Sequence, residues 1–138
     1  MIRPYKRKTQ YYETDQMGII HHANALHWFE EARVDFMEQI GFGYRQATAA
    51  GLDFALLSAQ CGYKSMAKFG ETVVIELKIT ELTPARMTVS YTVSDEETGT
   101  LRMTGSTEHC YFSSVLNKPV SLKKTLPELY KLFEETMA

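Results

Sequence analysis

The chain is short of cysteine, of unbroken apolar runs and of net charge. Only Cys61 and Cys110 are present, far apart, with no CxxC pair and no histidine at zinc-ligand spacing. That argues against a disulfide framework and a structural metal site, and leaves two buried free thiols in a reducing compartment as the expectation. No window approaches the roughly 18 consecutive apolar residues of a membrane span, so none is expected. The N-terminal run MIRPYKRKTQ is basic but leads into no apolar segment, which speaks against a secretory signal. A formal net charge of −2 argues against nucleic-acid binding through bulk electrostatics. It leaves room for one local basic patch that a phosphate-bearing ligand would use. Internal repeats, low-complexity segments, linkers and the GxSxG, P-loop and GxGxxG motifs are also missing. The expectation is a cytoplasmic protein without metal or cofactor.

What is present fits one domain, residues 1–138. A hydrophobic content of 44% with 23% charged residues is ordinary for a globular chain with a real core. The first strand candidate is Tyr5–Tyr12, with a pattern weakened by Lys6, Arg7 and Lys8, and a loop runs on to about His21. Asn24–Ile40 then reads as a helix, because Ala25, Phe29, Ala32, Phe36 and Ile40 step by four or three onto one face. Leu26, Trp28, Val34 and Met37 widen that stripe, so the helix should be wrapped by other structure. Gly41 stops it, and a short helix is expected at Tyr44–Ala50. Four strands follow, at Phe54–Tyr63, Thr72–Leu82, Met87–Ser94 and Leu101–Phe112. Val73, Ile75, Leu77 and Ile79 alternate with polar residues, as do Met87, Val89, Tyr91 and Val93. Turns are expected at Asp95–Gly99 and Asn117–Pro119. A last helix, about Leu126–Met137, would be capped by Thr125. The order predicts an α+β fold in which an antiparallel sheet curls around the long helix.

The segment YYETDQMGIIHHAN, residues 11–24, gathers the chemistry. Asp15 sits in a loop just ahead of a helix N-terminus, where unpaired N–H groups and a partial positive charge suit a developing oxyanion. A carboxylate there attacks a carbonyl or deprotonates a water. Gly18 allows a tight turn and close approach of a ligand. These are the parts of ester or thioester hydrolysis. An Asx-turn or capping role for Asp15 is the competing reading. His22 reads either as a catalytic side chain or as a first-turn residue satisfying a carbonyl, and Asn24 as a helix cap. His21 and His22 are expected to point apart. His22 and His27 are five apart, which does not align two metal ligands on one face. Glu30 and Glu31 read as a solvated or subunit-facing stripe. His109 and Cys110 face opposite ways on a strand and form no dyad.

The run YxxTDxxGIIHHANxxxxFExAR, Tyr11 to Arg33, resembles the hotdog-fold acyl-CoA thioesterases of the 4-hydroxybenzoyl-CoA thioesterase type, including the branch associated with the Tol–Pal system. The likeness continues more weakly through Tyr63–Glu71 and Asn117–Pro119. It implies a five-stranded antiparallel sheet around a long central helix. It also implies Asp15 as nucleophile or general base, and His22 as the helix-start residue whose backbone N–H polarises the thioester carbonyl, with its imidazole as a further aid. Tyr11 matches a tyrosine near the carboxylate. Gly18 matches the loop glycine, and Ile19 and Asn24 would line the substrate. Lys64 and Lys68, with Arg86 and Arg102, are candidates for the phosphates of coenzyme A, which enters only as part of the substrate; solvated surface charge is the competing reading. Glu30 and Arg33 match residues of structural or interface character. Glu13-Thr14-Asp15 stands where Asp-Thr-Asp is frequent, and Ala25 where a tyrosine is usual, which bears on substrate preference rather than the reaction. The resemblance further implies a homodimer or homotetramer with active sites at the interface. A 3-hydroxyacyl-thioester dehydratase or hydratase using His22 with Glu30 or Glu31, and a non-catalytic acyl-CoA-binding protein, are the alternatives.

Overall fold

The computed structural model describes residues 2–137. Met1 and Ala138, the ends of the expected domain, lie outside them. Strand β1 (Tyr5–Lys8) leads through a 3-10 turn at Tyr11–Glu13 to helix α1 (Asn24–Gln39) and short helix α2 (Tyr44–Ala49). Strands β2 (Leu52–Tyr63), β3 (Thr72–Leu82), β4 (Arg86–Asp95) and β5 (Leu101–Ser113) follow. A two-residue strand β6 (Lys118–Pro119), helix α3 (Leu122–Thr125) and helix α4 (Pro127–Met137) close the chain. The strands form one antiparallel sheet in the order β1-β3-β4-β5-β2, with β6 paired to β5.

The alternation in β4 does what its period requires. Met87, Val89, Tyr91 and Val93 are buried, and share a core with Val73, Ile75 and Ile79 of β3. Helix α1 presents Ala25, Trp28, Phe29, Ala32, Phe36 and Met37 to that core. Leu26 and Val34, expected to widen the buried stripe, instead remain exposed. The sheet covers only the face that Phe29 leads. Phe29 stacks flat on Tyr91 at 4.2 Å. Gly105 is paired with Tyr91 in register, and a Cβ there would stand 2.5 Å from the Phe29 ring. The glycine is what lets the helix lie this close to the sheet.

Several boundaries differ from those expected, each for a local reason. β1 ends at Lys8 because the Thr9 N–H turns to the Glu71 carbonyl at 2.8 Å and the chain leaves the sheet. Asn117 takes a left-handed φ of 54°, and the residues after it, expected as turn, pair with β5 as β6. Thr125 is not the cap of the last helix. Ser121 caps a separate helix by accepting from the Lys124 N–H, and Thr125 ends that helix. α4 packs Leu129, Tyr130 and Phe133 inward, with Phe133 against Phe36 and Phe54. Cys61 and Cys110 are free, but half-buried rather than buried.

Candidate active site

Residues 13–21 close a narrow loop between the 3-10 turn and α1. Thr14 bridges Ile20, the His21 N–H donates to the Glu13 carbonyl at 2.8 Å, and the Asp15 N–H donates to the Ile19 carbonyl at 2.9 Å. Gly18 turns the chain with φ of 77°, a conformation an L side chain resists. Its N–H donates to the Asp15 carbonyl at 3.0 Å. Asp15 is half-buried, and its Oδ1 accepts the Met17 N–H at 2.8 Å. That is an Asx-turn, so the structural reading of Asp15 holds for one oxygen. Oδ2 makes no hydrogen bond among the described residues.

The helix start holds one uncommitted backbone donor among the described residues. The His21 N–H is taken by Glu13, the Ala23 N–H by His21 Nδ1 at 3.1 Å, and the Asn24 N–H by the His21 carbonyl at 3.1 Å. Between them, the His22 N–H donates to nothing among the described residues. The His22 carbonyl is held by the Tyr63 hydroxyl at 2.9 Å, which ties the end of β2 to the helix start. Burial, then the neighbouring Cys61, pushes the Tyr63 phenol up to about 12, so it stays a donor at neutral pH.

His21 and His22 do not point apart. Both precede the helix, and their rings stack at 4.1 Å. The N-cap is Ala23, not Asn24. The Asn24 side chain reaches back instead, donating to the carbonyls of Glu13 at 2.9 Å and His21 at 3.2 Å. Tyr11 is exposed and sets its ring edge-on to Phe69 at 5.6 Å. The loop carrying Phe69 zips onto the Asp15 loop: Ile19 bridges Lys68, and the Ile20 N–H donates to the Ala67 carbonyl at 2.9 Å. Asp15, Gly18, Ile19 and Lys68 are thereby gathered, while Lys64 lies exposed just beyond β2. Glu30 is exposed, and Glu31, although its side chain keeps 36% exposure, is tied down. It accepts from Arg7 Nε at 2.7 Å and from the Tyr5 hydroxyl at 3.0 Å.

Glu13 and Arg7 are residues that sequence reasoning did not single out. The Glu13 side chain is buried and forms a 2.7 Å ion pair with Arg7, also accepting the Trp28 indole N–H at 2.8 Å and the Gln10 N–H at 2.8 Å. Burial alone would raise its pKa; Arg7, then Trp28 and Gln10, outweigh that and hold it below the usual carboxylate range. The signal lay in β1. Alternation turns Arg7 inward with Tyr5 and Lys6 and Lys8 outward, and a buried cation calls for a carboxylate.

Residues 9–130 match the thioesterase-like superfamily, and the chain belongs to it. Fold and family define a thioester hydrolase of the hotdog type. A protein of Aquifex aeolicus (strain VF5) that bears a provisional esterase name is 36% identical, over 92% of this chain and 96% of its own. A Bacillus subtilis (strain 168) protein, provisionally named an acyl-CoA thioesterase, is 27% identical over 93% of this chain and 92% of its own. The solved DHNA-CoA thioesterase from Staphylococcus aureus superposes with a TM-score of 0.92 at 27% identity, covering 98% of this chain and 90% of that one. The comparisons do not single out the Tol–Pal-associated branch. No helix among the described residues is long and apolar enough to cross a membrane.

Proposed function

We propose that the chain hydrolyses acyl-CoA thioesters in the cytoplasm, with Asp15 as the catalytic carboxylate and the His22 N–H as the oxyanion donor. The observation that carries this reading is the unpaired His22 N–H, flanked on both sides by N–H groups already committed, at the start of α1. The substrate carbonyl oxygen accepts from it, and the positive end of the helix favours the charge that develops there. Asp15 Oδ2 then acts in one of two ways. As nucleophile it bonds to the carbonyl carbon, the C–S bond breaks, the thiolate takes a proton, and water cleaves the acyl-aspartyl anhydride. As general base it takes a proton from water, whose oxygen attacks instead, and the thiolate leaves with a proton. One oxyanion donor contributes roughly 10²–10³-fold and acid–base help roughly 10²–10⁴-fold. The names of the relatives support the same substrate class. Tyr11 is assigned beside Asp15 as a catalytic side chain, Gly18 and Ile19 border the acyl group, Asn24 shapes the site by holding the Glu13 and His21 carbonyls, and Lys64 and Lys68 face the phosphates.

Assembly belongs to this reading. β2 is the last strand of its sheet, and Leu56 and Leu57 on it are 52% and 45% exposed. An open edge of this length calls for cover. A second copy laid along β2 supplies it, giving a homodimer as the unit.

The dehydratase reading is left with Glu30 alone as its carboxylate, because Glu31 is already engaged by Arg7 and Tyr5. One observation favours the binding-protein reading, the Asx-turn that occupies Asp15 Oδ1. Thiol release from short, long and aromatic acyl-CoAs by chelator-treated protein separates the two. Turnover of at least one thioester is expected. Saturable binding with no release would assign the site to binding alone.

A further inference from the structure

We infer that Glu13 is a positioning residue for the reaction: it fastens the loop that carries Asp15 to both β1 and α1. The inference rests on the catalytic reading of Asp15 given above.

Among the described residues Asp15 has no anchor of its own outside its loop. Its backbone and side-chain hydrogen bonds run to Met17, Gly18 and Ile19, all within the same turn. Its place relative to the helix start is therefore inherited from the loop's stem. Glu13 is that stem. Its side chain is 3% exposed, with Oε1 accepting from Arg7 Nη1 and the Gln10 N–H, and Oε2 from Trp28 Nε1. Its carbonyl accepts from the His21 N–H and from Asn24 Nδ2. Donors from β1, from the 3-10 turn, from the far side of the loop and from two turns of α1 thus meet on one residue, two positions before Asp15. Arg7 doubles the fastening. Its Nε binds Glu31 of α1, and its guanidinium lies over the Trp28 ring at 5.1 Å.

The arrangement depends on an ionised side chain of this length. A buried carboxylate is costly unless it is paired and hydrogen-bonded, and here three donors serve it, one of them charged. Glutamine in its place keeps the shape, but its amide N–H₂ would face a donor. Loss of the fastening lets the carboxylate of Asp15 drift relative to the His22 N–H. A misplacement of about 1 Å can cost about a hundredfold in rate.

Steady-state kinetics on an acyl-CoA that the wild type hydrolyses, taken well below each variant's melting temperature, test the inference. For Glu13→Gln the expected result is a kcat lower by about 10–100-fold with KM within about threefold. Trp28→Phe, which removes one donor and keeps a ring, should fall in the same direction by less. On an Asp15→Asn background Glu13→Gln should add nothing, because residues acting as a unit are not additive. A Glu13→Gln protein with a lower melting temperature but unchanged kcat overturns the inference, as does an effect that multiplies with Asp15→Asn. If Glu13→Gln does not fold, an unchanged kcat in folded Trp28→Phe overturns it. Full activity of Asp15→Asn alone is a separate result. It removes the reading of Asp15, and the inference with it.

Discussion

His109 should make this fold sensitive to mild acid, although it takes no part in the proposed reaction. Its side chain is 1% exposed on β5. Nε2 contacts Thr107 Oγ1 at 2.8 Å, and Thr107 Oγ1 contacts the Tyr91 hydroxyl, which accepts from Arg33 at 3.0 Å. Arg33 only donates, and Thr107 links the Tyr91 hydroxyl it serves to Nε2, so the ring is held from one side whichever way the two hydroxyls point. Nδ1 has no partner among the described residues, and the ring lines a cavity of about 10 Å³ together with Arg33, Tyr44, Phe54, Met87 and Phe133. Burial, and then the charge of Arg33, lower its pKa to about 4. An unfolded histidine titrates near 6.5. The folded state therefore refuses a proton that the unfolded state accepts. This contribution is whole above about pH 6.5, is lost as pH falls toward about 4, and changes no further below that. At about pH 5 the loss amounts to about 2 kcal/mol. Urea unfolding of the wild type and of His109→Asn at about pH 7.5 and about pH 5 reads it directly. The wild type should lose about 2 kcal/mol more than the variant between the two conditions. Equal losses in the two proteins would refute the reasoning.

Other consequences are equally direct. Gly105→Ala drives a methyl group into the Phe29 ring and should cost about 1–3 kcal/mol or more in urea unfolding; an unchanged midpoint would mean that α1 has room to move off the sheet. Gly18→Ala meets no atom within 4 Å, so its effect is backbone strain alone, about 1–2 kcal/mol. Thiol release should fall in that variant while the melting temperature drops by about 3–10 °C; unchanged release would mean that the turn at Gly18 is not needed by the site. Leu57→Lys on the open edge of β2 should weaken self-association at least about tenfold in sedimentation and lower thiol release with it; a variant of unchanged size would remove β2 from the interface.

Much of the fold was legible because it is encoded locally. β3 runs over Thr72–Leu82 as its alternation predicts, and α1 begins at Asn24 where the apolar stepping begins. The misplaced features depend on partners far along the chain. Leu26 and Val34 look like core residues on a helical wheel, and only the extent of the sheet decides that they stay outside. The same holds for the site. Asp15 and Gly18 stand out because loop chemistry and left-handed backbone are local properties. The role of Glu13 was hidden because its donors come from Arg7 and Trp28, on two other elements. Tyr63, which holds the His22 carbonyl, is 41 residues from it, and no spacing rule connects them. Asn24 had the look of a cap because capping is what asparagine most often does before a helix, and its actual targets are the carbonyls of the folded-back loop.

The central claim is that Asp15 performs the chemistry and does not merely shape its loop. Asp15→Asn is well suited to separate these roles, since an asparagine Oδ1 still accepts the Met17 N–H and preserves the Asx-turn. The measurement is thiol release from the acyl-CoA that the wild type turns over best, on both proteins, with melting temperatures recorded alongside. The account predicts a fall of at least about a hundredfold at unchanged melting temperature. A variant as active as the wild type would contradict it.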